Sequence, residues 1–323
     1  MPCRRGVAIS LWSQHRPQLV ALALLSPLYA CATREHYQIG TGSVNATFYP
    51  MAHTLCQQIE ALELDFTCEA VPTPGAKHNL EHLQDGQYQL ALSQAMLQYR
   101  AWRGEPPFSE PMDALRTLAP MHTEVFILVV RRGLKVENLG GLLGQRINIG
   151  NPGSGSRTVV DALLAHLGID HTEFMPQEAR SKDLPGLMCN GEIDAAIYST
   201  GHPNNIYRAM IDECDASLLE LWDDQIARFV NANPDYQPAT IAGGTYRREP
   251  RDRRGFGLAT VLSVRADLPD PHVREIRRVL QERREQLSEQ VPAYADAKPA
   301  SPLESPSAPL HRGLRQWPLE KND

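Results

Sequence analysis

Apolar residues recur along this chain in two alternating rhythms. Short runs of period two or of continuous apolar character read as strands, and stripes at i, i+3, i+4, i+7 read as helices. Tyr37-Gln38-Ile39-Gly40 is a strand that ends in glycine, and Met51, Leu55, Ile59 and Leu62 then share one helical stripe. Phe66 to Val71 and Gln89 to Leu92 read as further strands. Leu115 to Val130 is a long extended stretch, as expected of a segment that crosses between two lobes. Arg146 to Ile149 is a strand, followed by a helix with Val160, Leu163, Leu164 and Leu167 on one face. Asp194 to Tyr198 is a later strand, Leu258 to Val264 a return crossing, and Val273, Ile276, Leu280 and Leu287 mark a last helix. Strand and helix patterns in alternation predict an α/β fold.

Two strand–helix junctions carry the chemistry. The first is IGTGSVNATFYP (39–50), the second NIGNPGSGSRTVVDALLAHLG (148–168). Glycine lets backbone N–H groups converge, and a helix start offers unpaired donors with a partial positive charge. Such a junction holds an anion without a basic side chain. Ser154 and Ser156 add hydroxyls to the second loop, Thr41 and Ser43 to the first. Neither loop ends in Gly-Lys-Ser/Thr, which excludes a P-loop, and neither spells the full G-x-G-x-x-G of a dinucleotide site. One such loop in each of two lobes, facing across a cleft, forms a clamp for a small carboxylate.

Composition adds compartment and size. The chain has 323 residues, 42% of them hydrophobic, enough for two cores. Arg4, Arg5 and Arg16 precede the apolar run Leu19 to Leu25, with small residues at Ala30-Cys31-Ala32, as in an export signal over 1–32. Cleavage after Ala32 gives a freely diffusing periplasmic protein. Leu28-Tyr29-Ala30-Cys31 alternatively spells a lipobox, with Cys31 acylated. Cys56, Cys68, Cys189 and Cys214 remain, an even set suited to an oxidising compartment. Three pairings are possible; Cys56–Cys68 and Cys189–Cys214 are favoured because each closes a short loop. The formal net charge is −6, and the first 32 residues hold three arginines and no acid, so the remainder is more negative still. Nucleic acid is thereby disfavoured as a partner. Residues 297–309 are rich in Pro, Ala and Ser, as in a linker or surface tail.

Taken in order, the motifs resemble the TAXI-type solute-binding receptors of tripartite ATP-independent periplasmic (TRAP) transporters. The resemblance runs from about residue 37 to the end. It is carried by IGTGS with Thr47-Phe48-Tyr49-Pro50, the Thr73 to Asn79 stretch, Met121-His122-Thr123-Glu124, and Gly150 to Ser156. GEIDAAIYSTGHPNN (191–205), ATIAGGTY (239–246) and SAPLHRG (307–313) follow in the same order. It implies a type II periplasmic-binding-protein fold with a hinged cleft, a small anionic solute of the glutamate or organic-acid kind, no cofactor, no catalysis, and delivery to a membrane permease. On this basis lobe 1 is 33–124 with 259–296, lobe 2 is 125–258, and 297–323 is a tail against them. Two departures stand out. Asn45-Ala46 replaces Gly-Gly, and Gln94-Ala95-Met96 replaces Gln-Ser-Asp, which favours a ligand without an amine.

The expected ligand contacts are Ser154, Gly155 and Ser156 from one lobe and Thr41, Gly42 and Ser43 from the other. Tyr49 walls the pocket, Gln94 and Glu124 face it from strand ends, and Tyr198, Thr200, Gly201 and His202 form a third loop. Against these stand plainer roles: Tyr49 and Tyr198 in a core, Glu124 as a hinge brace, His202 as a helix entry before Pro203, and Arg157 in solvent. A receptor that signals to a membrane sensor is one rival. A zinc hydrolase is another, because His78-Asn79-Leu80-Glu81-His82 fits the H-x-x-E-H spelling.

Overall fold

The computed structural model describes residues 34–296 and 307–315. The export signal, the Cys31 lipobox and the rest of the tail lie outside the described residues. In chain order the elements are β1 (Glu35–Gly40), α1 (Phe48–Ala61), β2 (Phe66–Val71), α2 (Ala76–Gln84), β3 (Leu90–Gln94), α3 (Ala95–Arg103) and β4 (Leu115–Arg131). They continue with β5 (Arg146–Asn148), α4 (Gly155–Leu167), β6 (Met175–Gln177), α5 (Leu184–Cys189), β7 (Ala195–Thr200), α6 (Asn205–Asp212) and β8 (Ala216–Leu219). Last come α7 (Asp224–Asn231), β9 (Tyr236–Ile241), β10 (Arg253–Arg265), α8 (Asp270–Glu282) and α9 (Arg284–Gln290).

The strands form one ten-stranded sheet in the order β2-β1-β3-β10-β4-β7-β5-β6, with β8 beside β4 and β9 beside β10. At each end lies a parallel set, β2-β1-β3 and β7-β5-β6. Between them run two long antiparallel strands, β4 of 17 residues and β10 of 13. Each long strand changes partner along its length. On β10, residues 260–264 pair with β3 and 253–258 with β9. On β4, residues 125–130 pair with β7 and 128–131 with β8. Pairing with β7 thus begins immediately after Glu124, while β10 stays paired as far as Phe126.

The apolar stripes read from the sequence face inward. Met51, Leu55 and Ile59 of α1 pack with Tyr37, Ile39 and α8 in one buried cluster. Val160, Leu163 and Leu164 of α4 join Ile147, Phe126 and Phe256 in a second. Ile206, Tyr207 and Met210 of α6 cover Ile127, Val129 and Ala196 in a third. The last predicted helix is two helices, α8 and α9, broken at Arg283. Disulfides join Cys56 of α1 to Cys68 of β2 and Cys189 of α5 to Cys214. The described part of the tail is no loose linker: Leu310 bridges to Thr117 of β4, and Ala308 and His311 are buried.

Candidate functional site

The chain bends sharply between β5 and α4 because Gly150 and Gly153 take φ values of 88° and 81°, a region costly for other residues. That bend presents α4 end-on. Ser154 is its N-cap, accepting from Arg157 N at 3.2 Å and donating to Asn151 O at 2.8 Å. The N–H groups of Gly155 and Ser156, the first two of the helix, have no acceptor within it. Directly over them lies Gln94 from the end of β3, so close that a Cβ on Gly155 would fall inside its amide.

The first loop is built differently. Thr41 is fully buried, and its hydroxyl donates to Val71 O at 2.6 Å. Its helix, α1, begins only at Phe48, and Thr47 gives no side-chain cap. Thr47 Oγ1 instead meets Thr200 Oγ1 at 2.8 Å, tying this loop to the end of β7. Ser43 Oγ is buried without a partner.

Between these loops lies a cavity with about 570 Å³ of atom-free space, mouth included, of which about 60 Å³ admits the centre of a water molecule. That is room for a small solute. Its wall includes Thr41, Gly42 and Ser43 from one loop and Ser154, Gly155 and Ser156 from the other, with Gln94, Glu124, Tyr198 and Thr200. One rim is closed by contact between the segments after β2 and β5. Lys77 N donates to Gly153 O at 3.3 Å, and Asn151 Nδ2 to Pro74 O at 3.2 Å.

Three expected contacts do not line this cavity. Tyr49 lies one position past Phe48 on α1 and so points about 100° away; it stacks on His53 while Phe48 takes the wall. Gly201 is packed against His122 and Ala293. His202 is turned toward Tyr246, Nδ1 to Oη 2.6 Å. Conversely, Asn148, Ser181 and Ser199 line the wall and were not singled out by sequence. Strand alternation gives no pointer to Ser199, because it neighbours Tyr198 on β7 and yet both line the wall.

Among the described residues, Lys, Arg and His are absent from the wall, and Glu124 is its one carboxylate. Glu124 is 5% exposed; its Oε2 accepts from Gln94 Nε2 at 2.7 Å and from Ser199 Oγ at 3.0 Å. Burial pushes its pKa up to about 7, although both donors oppose the shift. Ser199 Oγ also meets Ser156 Oγ at 2.9 Å, so a polar chain runs from β3 through β4 and β7 to α4. Burial raises the Tyr198 hydroxyl above its usual range, and the nearby Glu124 charge adds to that. Arg157 pairs with Asp161 at 2.7 Å and with Glu178, and it does not line the cavity. His78 and His82 stack on each other with centroids 3.7 Å apart, and Glu81 pairs with Lys77. Among the described residues no three His, Cys, Asp or Glu side chains are gathered around a metal position.

The profile of the NMT1-like family matches residues 39–320, most of the chain and both glycine loops. The chain belongs to the NMT1-like family. Solved structures agree on its architecture. A protein from Listeria monocytogenes named for an L-cystine ABC transporter shares 11% identity at a TM-score of 0.52, covering 82% of this chain and 98% of its own. The ligand-binding component of an ABC-type import system from Staphylococcus aureus, with zinc bound, shares 14% at 0.50, with 82% and 84% covered. An ancestral arginine-binding protein bound to arginine shares 13% at 0.50, with 80% and 98% covered. At such identities the likeness concerns the fold, which is the type II periplasmic-binding-protein fold.

Proposed function

We propose that this chain is an extracytoplasmic solute-binding protein that captures a small carboxylate-bearing solute and hands it to a TRAP-type membrane permease. It is a carrier, not an enzyme. One observation carries the proposal: a small cavity walled by both glycine loops, in which backbone amides at a helix start and the Ser43 hydroxyl are free to donate and, among the described residues, no Lys, Arg or His lines the wall. Amides in this arrangement hold a carboxylate by charge-assisted hydrogen bonds. The two long strands β4 and β10 are natural hinges, because they run side by side between the two sets, β10 paired to β3 and β4 paired to β7. Residues 33–124 with 259–296 then act as one lobe and 125–258 as the other.

The order of motifs noted above supports the TAXI assignment and hence a permease of the TRAP class. Export is supported by the N-terminal signal pattern and by the two disulfides. Among the described residues no helix is long and apolar enough to cross a membrane. A thermal-shift screen over amino acids, dicarboxylates and aromatic acids, followed by calorimetry, tests the proposal. Stabilisation by at least one carboxylate with a fitted stoichiometry of one is the expected result. A flat response across all three classes overturns it.

A further inference from the structure

Closing a cavity around an anion poses an electrostatic problem when one wall is itself a carboxylic acid. Here that wall is Glu124, and a solute carboxylate held at Gly155 and Ser156 shares its enclosure. Two like charges in a low-dielectric space repel strongly. No Lys, Arg or His of the wall relieves them. A second mismatch lies alongside: Gln94 is 4% exposed and its Oε1 has no hydrogen-bond donor.

One proton resolves both. We propose that Glu124 takes up a proton as the cavity closes on the solute carboxylate, so that the natural solute is an amine-free organic-acid anion carried together with that proton. This deepens the carboxylate reading above and rests on it. With Glu124 neutral, its O–H donates to Gln94 Oε1 once the amide is turned about, and Gln94 Nε2 is freed to donate toward the solute. The turn exchanges one Gln94–Glu124 hydrogen bond for another with donor and acceptor reversed. Ser199 remains as the link to Ser156 on α4. The proton comes from bulk solvent, and no bond other than O–H is made or broken.

The surroundings leave Glu124 as the group that titrates. On its own strand, His122 is buried and held neutral, its pKa lowered to about 3 by burial. From β7 comes Tyr198 and from α6 Tyr207, both pushed up by burial and so protonated at neutral pH. β3 contributes Gln94, α4 contributes Ser156, and β10 places Leu258 opposite in register, none of them charged. Burial, opposed by the hydrogen bonds from Gln94 and Ser199, brings Glu124 up to about 7, and a solute anion beside it raises that further.

The test uses matched pairs that differ only in an oxo group against an ammonium: pyruvate with L-alanine, and 2-oxoglutarate with L-glutamate. Calorimetry of the exported chain in buffers of different ionisation enthalpy counts the protons taken up per solute bound. For an oxo acid the expected count approaches one near pH 6 and declines above pH 7. Exposure of Glu124 as the cavity opens removes the burial that raises its pKa and returns it toward the ordinary glutamate value of 4.5. Its pKa is therefore higher in the complex, and the proton's contribution to affinity is lost as pH rises. Between about pH 5.5 and pH 7.5 the Kd weakens about twenty-fold. Glu124→Gln removes that slope. Oxo-acid binding with no proton uptake at pH 6 overturns the inference while leaving the carboxylate reading intact. So does tighter binding of the amino acid with no uptake, since an ammonium would then pair with ionised Glu124. Failure of all carboxylates to bind overturns the carboxylate reading and this inference with it.

Discussion

The two glycine loops share a spelling, Gly-Thr-Gly-Ser and Gly-Ser-Gly-Ser, yet do different work. After Gly153-Ser154 the helix begins at once, so Ser154 caps it, and the two amides that follow have no helical acceptor and belong to residues of the cavity wall. After Gly42-Ser43 the chain runs on to Phe48 before α1 starts, and the hydroxyl of Thr41 is spent on Val71. The second loop is thus a donor site, and the first is a lid-like wall that supplies one unpartnered hydroxyl, Ser43 Oγ. Glycine spacing by itself does not define an anion site. What defines it is the distance from the glycine to the first helical turn.

The largest effect is expected from the disulfides that brace each side. Cys56–Cys68 spans 12 residues beside the first loop, and Cys189–Cys214 spans 25 on the other side. Replacing either pair with alanine should cost about 2–4 kcal/mol, more for the longer loop, read from urea unfolding. Equal and negligible losses for both pairs would show that neither loop depends on its brace.

Gly155→Ala should come next. Its methyl would occupy the space of the Gln94 amide, an overpacking cost of about 1–3 kcal/mol against closure, or a roughly ten- to hundred-fold loss of affinity by calorimetry. Gly42→Ala meets nothing within 4 Å and should shift affinity by less than about threefold. Equal losses in the two variants would erase the distinction between donor site and wall.

Serines sharpen the contrast at smaller scale. Ser154→Ala removes a cap and should lower stability by about 0.5–2 kcal/mol as well as weaken binding. Ser43→Ala removes a hydroxyl with no internal partner, so melting should hold while affinity falls by about 0.5–1.5 kcal/mol. A drop in melting temperature for Ser43→Ala would place its hydroxyl in the scaffold.

Acid should separate the two sides most gently. His122 packs edge-on against Phe48 at the start of α1, and burial lowers its pKa to about 3. Its folded pKa lies below the unfolded value, so the stability it lends is complete above about pH 6.5 and drains away as pH falls toward 3. On the other side Asp194, held between Arg131 and Arg146, has its pKa lowered and stays ionised further into acid. Amide exchange near 44–48 should therefore quicken at mildly acidic pH before that near 146–150. The reverse order would contradict the neutral-histidine assignment.

Much of this was legible in the chain. Period-two and period-3.6 stripes located β1, α1, β2, β4, α4 and β10 to within a few residues, because each buries a long continuous face. Three short strands, β3, β5 and β7, were placed as well, but other short elements escaped. β8 and β9 are strands only because β4 and β10 pass beside them, and four to six residues of local pattern do not encode that. The site divides the same way. Thr41 to Ser43 and Ser154 to Ser156 stood out because glycine junctions are local. Ser199 and Asn148 reach the cavity through sheet register, which is long-range. Tyr49 misled because the helix phase at its start, Phe48, depends on how α1 docks. Gln94 and Glu124 were visible as strand-end polar residues, but their meeting at 2.7 Å follows from β10 lying between their strands.

The central place of β10 bears on how the molecule comes into being. β3 and β4 cannot complete their pairing until a strand made more than a hundred residues later slides between them, and Thr117 waits longer still for Leu310. A nascent polypeptide of this design cannot complete its central sheet until its late segments emerge, and such long-range pairing forms slowly. Delayed consolidation of that kind keeps the newly made chain threadable, the condition a protein must meet if it is to pass through a narrow translocation channel before it locks.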